Sequence, residues 1–185
     1  MEYKIGEFYS GDEAAVNEIA VAAFDEYRGH YDDWAAFSRI VGNMASLSKS
    51  GELIVATVQE NVVGAVVYVG PGKKKSEFFS PAWPILRMLV VAPSSRGLGI
   101  GRALTEECIR RAERDGAPLI ALHTSPVMRV ALSMYERLGF KFLHGAPMIF
   151  GVPYAIYIRA LTAQQVAEPD AGELCASPCG DSGPG

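Results

Sequence analysis

A strand-like run leads directly into a glycine-rich turn and a helical pattern in the stretch Val91-Ala92-Pro93-Ser94-Ser95-Arg96-Gly97-Leu98-Gly99-Ile100-Gly101-Arg102-Ala103-Leu104. Three glycines at alternate positions remove the side chains that would keep a ligand away from the backbone. The first N–H groups of a helix have no partner within the helix, and its N-terminus carries a partial positive charge. Arg96 and Arg102 add to that charge. The turn therefore predicts a site for a phosphate or pyrophosphate.

Two common phosphate-binding loops do not match this turn. A P-loop requires Gly-Lys-Ser/Thr, whereas Gly101 is followed by Arg102-Ala103. A dinucleotide fingerprint requires G-x-G-x-x-G, whereas Arg102 stands at its last position. A tight strand-to-helix turn without any ligand is the alternative interpretation of the glycine cluster taken alone.

A longer pattern includes the turn. The segment Arg96-Gly97-Leu98-Gly99-Ile100-Gly101 matches the signature (Gln/Arg)-x-x-Gly-x-(Gly/Ala) of the GNAT superfamily of N-acetyltransferases, which this chain resembles. A second segment, Ala131-Leu132-Ser133-Met134-Tyr135-Glu136-Arg137-Leu138-Gly139-Phe140, resembles the A-x-x-x-Y-E-x-x-G-F segment of the same family. The resemblance extends over the order of elements from Tyr3 to about Leu161 and is sharpest between Leu86 and Phe142.

The resemblance implies a GNAT-like α/β fold, a central twisted mixed sheet flanked by helices. In this fold the strand that ends near Val91 splays from the strand that begins near Leu119, and acetyl-CoA, the acyl donor, lies in the gap. The backbone of Leu89, Val90 and Val91 is then expected to pair with the pantetheine arm and the thioester carbonyl. The turn amides are expected to hold the pyrophosphate; these belong to Arg96, Gly97, Leu98, Gly99, Ile100, Gly101, Arg102 and Ala103.

The implied reaction is direct attack of a neutral amine on the thioester, which requires a base for the ammonium and a donor for the leaving thiolate. Tyr135 stands where relatives carry their general acid; a role in helix packing is the alternative. Two departures from the family pattern stand out: Met128 replaces a frequent Asn, and Ala82-Trp83-Pro84-Ile85 lacks the strand glutamate that some relatives use. Glu77, His123, the segment 26–33 and ordered water are the candidate bases.

Residue patterns predict the order strand, two helices, three strands, helix, strand, helix, two strands, with parallel pairing only around the later helices. A capping box at Ser10-Gly11-Asp12-Glu13 is expected to start the first helix, which Gly29 ends. Ser125-Pro126 is expected to start the last helix, which Gly139 ends. The remaining predicted elements are a helix from Asp33 to Gly51, strands at 52–59, 61–69, 84–91, 119–123, 141–144 and 154–161, and a helix that ends at Arg114.

Residues 1–162 are predicted to form one acetyltransferase domain, and residues 163–185 a disordered tail, because the tail has almost no large apolar residue. Cys175 and Cys179 lie in this tail. No second Cys or His pair accompanies them at metal spacing, so no metal site is expected.

Composition limits the partners. The formal charge is 17 − 21 = −4, which argues against nucleic-acid binding as the main role. No apolar run reaches the roughly 18 residues of a membrane span, and the N-terminus lacks a signal-peptide pattern, so a cytoplasmic protein is expected. The resemblance, and not the composition, implies that the acceptor is a primary amine of a small molecule or a peptide, and homodimers are common in that family.

Two other functions stay open. One is a GNAT-fold protein that binds coenzyme A for sensing or assembly without turnover, and the other is a nucleotide-binding module that uses the same turn. Acids and aromatics around the first helix junction could receive a cationic acceptor or could be ordinary core packing. These residues are Phe24, Tyr27, His30, Tyr31, Asp32, Asp33 and Trp34.

Overall fold

A computed structural model describes residues 2–161, and the predicted tail at 163–185, with Cys175 and Cys179, lies outside these residues. Seven strands form one sheet in the order β1-β2-β3-β4-β5-β7-β6. The strands are β1 (Lys4–Glu7), β2 (Glu52–Val58), β3 (Asn61–Val69), β4 (Ile85–Val91), β5 (Leu119–Thr124), β6 (Lys141–Ile149) and β7 (Val152–Ala160). The α-helices are α1 (Glu13–Phe24), α2 (Trp34–Val41), α3 (Ile100–Arg114) and α4 (Arg129–Arg137).

The centre of the sheet is open between β4 and β5. These neighbours are parallel, joined through α3, and their register contains one residue pair, Ile85 with Ala121. Beyond that pair β4 continues toward Val91 without pairing to β5, whereas β5 pairs with β7 over its whole length, from Leu119 to Thr124. The remaining strand pairs are all antiparallel. The predicted mixed sheet, the restriction of parallel pairing to the later helices and the splay of β4 from β5 are therefore confirmed.

Helices cover both faces of the sheet, so the strands bury side chains on each side. On one face α3 and α4 pack on a cluster that includes Tyr68, Leu104, Ile120 and Phe140. On the other face α1 packs on Val55, Val67, Ile85 and other aliphatic residues. A smaller cluster of aromatic residues joins α2 to β7. No helix in residues 2–161 has the length and apolar character needed to cross a membrane.

Helix starts differ locally from the predictions. The capping box predicted at Ser10 and Glu13 is wrong by one residue, because a 3-10 turn over Ser10–Asp12 precedes α1. The observed box joins Tyr9 and Asp12, and the Asp12 carboxylate accepts the Tyr9 N–H at 3.0 Å. The predicted start at Ser125-Pro126 is also wrong. The Ser125 carbonyl accepts the N–H of Met128 at 3.0 Å and closes a separate turn, so α4 begins at Arg129.

Helix ends and late strands also differ. The α-helical parts of the first two helices stop at Phe24 and Val41, and 3-10 segments at Asp25–His30 and Met44–Lys49 complete the lengths predicted to end at Gly29 and Gly51. The strand predicted at 141–144 extends to Ile149 because it pairs with β7 as a long hairpin. Gly139, with a φ of +86°, ends the last helix as predicted.

Candidate active site

A cleft of about 440 Å³ opens where β4 diverges from β5. Its walls come from β4, the glycine-rich turn, the N-terminal turn of α3, the C-terminal part of α1 with the residues after it, and α4. The lining residues are Ala23, Phe24, Glu26, Tyr27, Leu89, Val90, Val91, Ser95, Arg96, Gly97, Gly99, Ile100, Gly101, Arg102, Met128, Val130, Ala131, Met134, Arg137 and Leu138. The cleft thus brings together Leu89, Val90, Val91 and most of the predicted turn residues.

The glycine-rich turn presents a row of backbone donors. Gly97 and Gly99 have φ values of +78° and +79°, a left-handed conformation that glycine adopts without strain. The N–H of Arg96 reaches the Pro93 carbonyl at 3.5 Å, and that of Ala103 donates to the Gly99 carbonyl at 3.0 Å. Within residues 2–161, the six amides from 97 to 102 have no acceptor. Such a concave set of N–H groups at a helix N-terminus is suited to an anion.

The predicted turn cations are held by neighbouring groups of the protein. Arg96 lies 2.9 Å from the Glu26 carboxylate and donates to the Ala23 carbonyl at 3.1 Å, so it joins the turn to the end of α1. Arg102 donates to Glu106 at 2.8 Å on the exposed side of α3. The backbone amides are therefore the uncommitted donors of the turn, and both arginines border the cleft with their charges paired to carboxylates.

An irregularity in β4 marks the inner wall of the cleft. The register between β3 and β4 shifts between Ala65 and Val67, so that Met88 and Leu89 form a β-bulge. Met88 has a φ of +55°, a conformation that is rare for a residue with a side chain. Bulges re-aim backbone groups and side chains, and here the re-aimed backbone borders the open gap between β4 and β5.

Tyr135 lies beneath the cleft and not in its lining. Its ring is 5% exposed and packs edge to face on Phe140, with ring centroids 5.8 Å apart. Burial raises the pKa of the Tyr135 phenol. Its helical neighbours Ala131, Met134 and Leu138 do line the cleft. The Tyr135 hydroxyl has no hydrogen-bond partner within residues 2–161. In this part of the chain every fully buried side-chain oxygen has a partner, so the Tyr135 oxygen is not fully buried and retains some solvent exposure.

The candidate bases are scattered. Glu26 lines the cleft and is paired with Arg96, whereas Glu77 is exposed on the loop before β4. His123, on β5, is outside the cleft and packs against Phe78, Phe79 and Tyr154. Burial, and secondarily the charge of Arg87, lowers the pKa of His123 to about 4, so its ring is neutral at pH 7.

Among the acidic and aromatic residues of the first helix junction, Phe24 and Tyr27 line the cleft, whereas Asp33 and Tyr31 stabilise the fold. Asp33 caps α2 by accepting the Ala36 N–H at 2.8 Å. Tyr31 stacks on Phe37, with centroids 3.9 Å apart, and its hydroxyl lies 2.8 Å from that of Tyr154. No group of three or more potential metal ligands occurs among the residues that the structure describes.

Some features of the site have no local signal in the sequence. The bulge at Met88 and the pair Tyr31–Tyr154 depend on long-range packing. No motif includes Arg87, but it borders a second cavity on the opposite side of β4 from Leu89. A single charged residue within the otherwise apolar strand Ile85–Val91 is the one sequence feature that could have drawn attention to it.

Comparison with known proteins gives both a family and relatives. The sequence model of the acetyltransferase (GNAT) family matches residues 13–140, more than half of the chain. A mycothiol acetyltransferase of Streptomyces avermitilis is 42% identical over 53 residues, which are 29% of this chain and 17% of that protein. An uncharacterized N-acetyltransferase of Schizosaccharomyces pombe is 28% identical over 113 residues, 59% of this chain and 63% of that protein. The chain thus spans less than two thirds of either relative.

A solved structure has the same fold. YncA of Salmonella typhimurium, whose structure contains its cofactor acetyl-CoA, superimposes with a TM-score of 0.63 at 19% identity. The match includes 91% of this chain and 98% of that one.

Proposed function

We propose that this chain, which belongs to the GNAT family of acetyltransferases, transfers the acetyl group of acetyl-CoA to a primary amine of a small molecule or a peptide. The observation that carries the proposal is the row of six uncommitted amides from residue 97 to residue 102, at the head of a cleft that runs along the unpaired edge of β4. This arrangement provides donors for a diphosphate and an open strand edge for an extended amide-containing chain.

The donor would lie along the gap between β4 and β5. The turn amides would hold the pyrophosphate, and Arg96 and Arg102 border the same cleft. The backbone of Leu89, Val90 and Val91 would hydrogen-bond to the pantetheine arm in the way that a neighbouring strand does. The bulge at Met88 supports a role of the adjacent backbone in holding the thioester carbonyl, because a donor aimed at that oxygen stabilises the tetrahedral intermediate.

The chemistry would proceed by direct transfer. The neutral amine attacks the carbonyl carbon, a C–N bond forms, the C–S bond breaks, and the sulfur leaves with the bonding pair. Tyr135 would hydrogen-bond to or protonate that sulfur as the general acid. A phenol ordinarily has a pKa of about 10 and a thiol about 8.5, so full proton transfer is uphill by about 2 kcal/mol. Burial increases the pKa of Tyr135 further, which favours a strong hydrogen bond over complete transfer.

The ammonium proton of the acceptor would leave through water. His123 is a poor base at a pKa of about 4, and Glu26, the carboxylate in the cleft lining, is engaged by Arg96. Ordered water in the open cleft supplies a path to bulk solvent that needs no dedicated side chain.

Two observations favour a second candidate function, a coenzyme A-binding protein without turnover. Tyr135 is not among the lining residues, and the family's strand glutamate is absent from Ala82-Trp83-Pro84-Ile85. A protein that holds acetyl-CoA without positioning an acid or a base would use coenzyme A binding for sensing or for assembly, and would not transfer the acetyl group.

Two measurements separate these functions. Calorimetry with acetyl-CoA, coenzyme A and ATP tests the donor site; binding of ATP alone would replace both ideas with a nucleotide-binding module. Thiol release from acetyl-CoA is then followed over a panel of primary amines and short peptides. Turnover with at least one amine supports the transferase, whereas tight coenzyme A binding without any turnover supports the second function.

A further inference from the structure

A second cavity, of about 490 Å³, lies on the side of β4 that faces α2. Its walls come from α2, from the 3-10 segment Met44–Lys49 and from two consecutive residues of β4. The lining residues are Ala36, Arg39, Ile40, Asn43, Ser46, Leu47, Arg87 and Met88. Nothing in the donor-binding arrangement described above uses this cavity.

The lining carries two cations and no acid. Arg39 and Arg87 both border the cavity, and neither is within 4.0 Å of a carboxylate in the described part of the chain. The chain as a whole has a net charge of −4, so a basic cavity does not simply reflect its composition. Polar groups of Asn43 and Ser46 and apolar groups of Ile40, Leu47 and Met88 complete the walls.

Arg87 is the better placed of the two cations. It is half-buried, whereas Arg39 is exposed. Burial lowers the pKa of Arg87, which reflects lost hydration that no carboxylate among residues 2–161 replaces. Taking a charge out of water is costly unless a partner of opposite charge is supplied. A ligand with a negative charge would supply that partner.

The cavity adjoins the reaction centre of the proposed function. Arg87 and Met88 border it, and the next residue, Leu89, lines the donor cleft. The two sites therefore lie on either side of β4 at the bulge, where the left-handed conformation of Met88 redirects the strand. A small molecule in the cavity would have one end at the Arg87 guanidinium and the other next to the backbone proposed to hold the thioester.

We propose that this cavity binds the acceptor, and that the acceptor is a small amine that also carries a carboxylate, as an amino acid does. The proposal rests on the transferase function proposed above. Arg87 would hold the carboxylate, because the planar guanidinium donates two parallel hydrogen bonds to its two oxygens. Arg39 would add charge at the cavity mouth, and the apolar wall would contact a short side chain.

The test uses matched acceptors. The twenty amino acids are compared with their carboxamides and with the corresponding decarboxylated amines, and aminoalkylphosphonates provide the same charge from a different group. Thiol release gives kcat and KM, and calorimetry on coenzyme A-saturated protein gives binding without turnover. We expect at least one amino acid to exceed its amide and its decarboxylated amine by 10-fold or more in kcat/KM. Preference for the phosphonates over every amino acid would overturn the carboxylate assignment.

Variants connect that preference to the cavity. Arg87→Met is expected to raise the KM of the preferred amino acid at least 10-fold, with acetyl-CoA affinity and melting temperature close to those of the wild type, and Arg87→Lys to recover part of the loss. Arg159→Met is the matched control, because Arg159 is also half-buried, has no ion pair in residues 2–161 and lines neither cavity. It should leave all these values unchanged.

The two proposals fail in different ways. The transferase function is contradicted if the wild type does not bind acetyl-CoA, or if it turns over none of the amines tested. Two results overturn the acceptor proposal alone. One is equal kcat/KM for amino acids, their amides and simple amines, and the other is a preferred acceptor that Arg87→Met binds as well as the wild type does. Calorimetry that detects no Arg87-dependent binding of any amino acid to the coenzyme A-saturated protein overturns it as well, whatever the turnover.

Discussion

The ring of Tyr135 packs edge to face on Phe140 at a centroid distance of 5.8 Å, while its hydroxyl has no hydrogen-bond partner within residues 2–161. Removal of the hydroxyl alone should therefore leave the packing intact. We expect Tyr135→Phe to change the free energy of unfolding by less than about 0.5 kcal/mol. If Tyr135 is the general acid, the same substitution should lower kcat about 10²-fold.

Tyr157→Phe is a suitable control for this prediction. Tyr157 is also buried and packs edge to face on another ring, that of Phe142 at 5.9 Å, but it lies on β7 away from the cleft. Its substitution should change neither stability nor turnover. Full turnover by Tyr135→Phe would assign Tyr135 to packing alone.

The glycine-rich turn predicts different outcomes for two neighbouring glycines. Gly99 has a φ of +79°, so Gly99→Ala introduces strain of about 1–2 kcal/mol and should displace the amide row. Gly101 is helical, and an added Cβ would meet Val91 and Met134 at the ordinary distances of 3.6 and 3.7 Å. We expect calorimetry to show at least 10-fold weaker acetyl-CoA binding for Gly99→Ala and a change of less than about 3-fold for Gly101→Ala.

Gly116→Ala separates general strain from damage to the binding site. Gly116 has a φ of +68° and open space around its Cα, but it follows the opposite end of α3. It should lose a similar amount of stability and retain acetyl-CoA affinity. Equal loss of affinity in Gly116→Ala and Gly99→Ala would contradict a specific role of the turn amides.

His123 predicts a pH-dependent stability. Its pKa is lowered from 6.5 to about 4 by burial among Phe78, Phe79 and Tyr154 and by the charge of Arg87. The unfolded chain protonates His123 near pH 6.5 and the folded chain only near pH 4, so the stability that the neutral ring contributes at pH 7 is lost as the pH falls between these values. The loss is about 3 kcal/mol, from about 1.4 kcal/mol per pKa unit.

Urea unfolding at pH 7 and pH 4 measures this contribution. In His123→Leu the carboxylates still titrate, but the histidine term is removed. The difference in unfolding free energy between the two pH values should therefore be smaller in the variant by about 3 kcal/mol. An equal pH dependence in both proteins would show that His123 is hydrated in the folded state.

The hydroxyl pair Tyr31–Tyr154 predicts coupling between β7 and the segment that precedes α2. The two oxygens are 2.8 Å apart in a buried site, so Tyr31→Phe leaves the Tyr154 hydroxyl without its partner and should cost about 1–2 kcal/mol. Tyr31→Phe/Tyr154→Phe removes both hydroxyls and should cost less than the sum of the two single substitutions. Additive losses in urea unfolding would show that the two hydroxyls are not coupled.

The sequence predicted the features that depend on local chemistry or on the family's motifs. The orientation of the turn amides depends on local features, namely Gly97, Gly99 and the helix that follows them. The end of α4 likewise depends on Gly139. The splay between β4 and β5 followed from the resemblance and is present. The start of α4 was mispredicted because Ser125 and Pro126 suit an isolated turn as well as a helix start.

Other features were beyond prediction because they arise from packing between distant segments. Nothing adjacent to Met88 requires a left-handed backbone; the bulge compensates for the shifted register with β3. That Arg87 has no ion pair in the described part of the chain depends on where acids of other segments lie. The burial of Tyr135 depends on Phe140 and on apolar residues of α3. A single sequence carries no direct signal for such relationships.

The lone residue pair between Ile85 and Ala121 has a consequence for ligand binding. Apart from it, β1 to β4 and β5 to β7 form two half-sheets, each hydrogen-bonded internally, that share the same hydrophobic clusters beneath the helices. An extended ligand along β4 would act as an additional strand that fills the gap between the two half-sheets. Amide hydrogen exchange at the facing edges of β4 and β5 should therefore slow when acetyl-CoA is added, whereas exchange within the β2–β3 hairpin should not change.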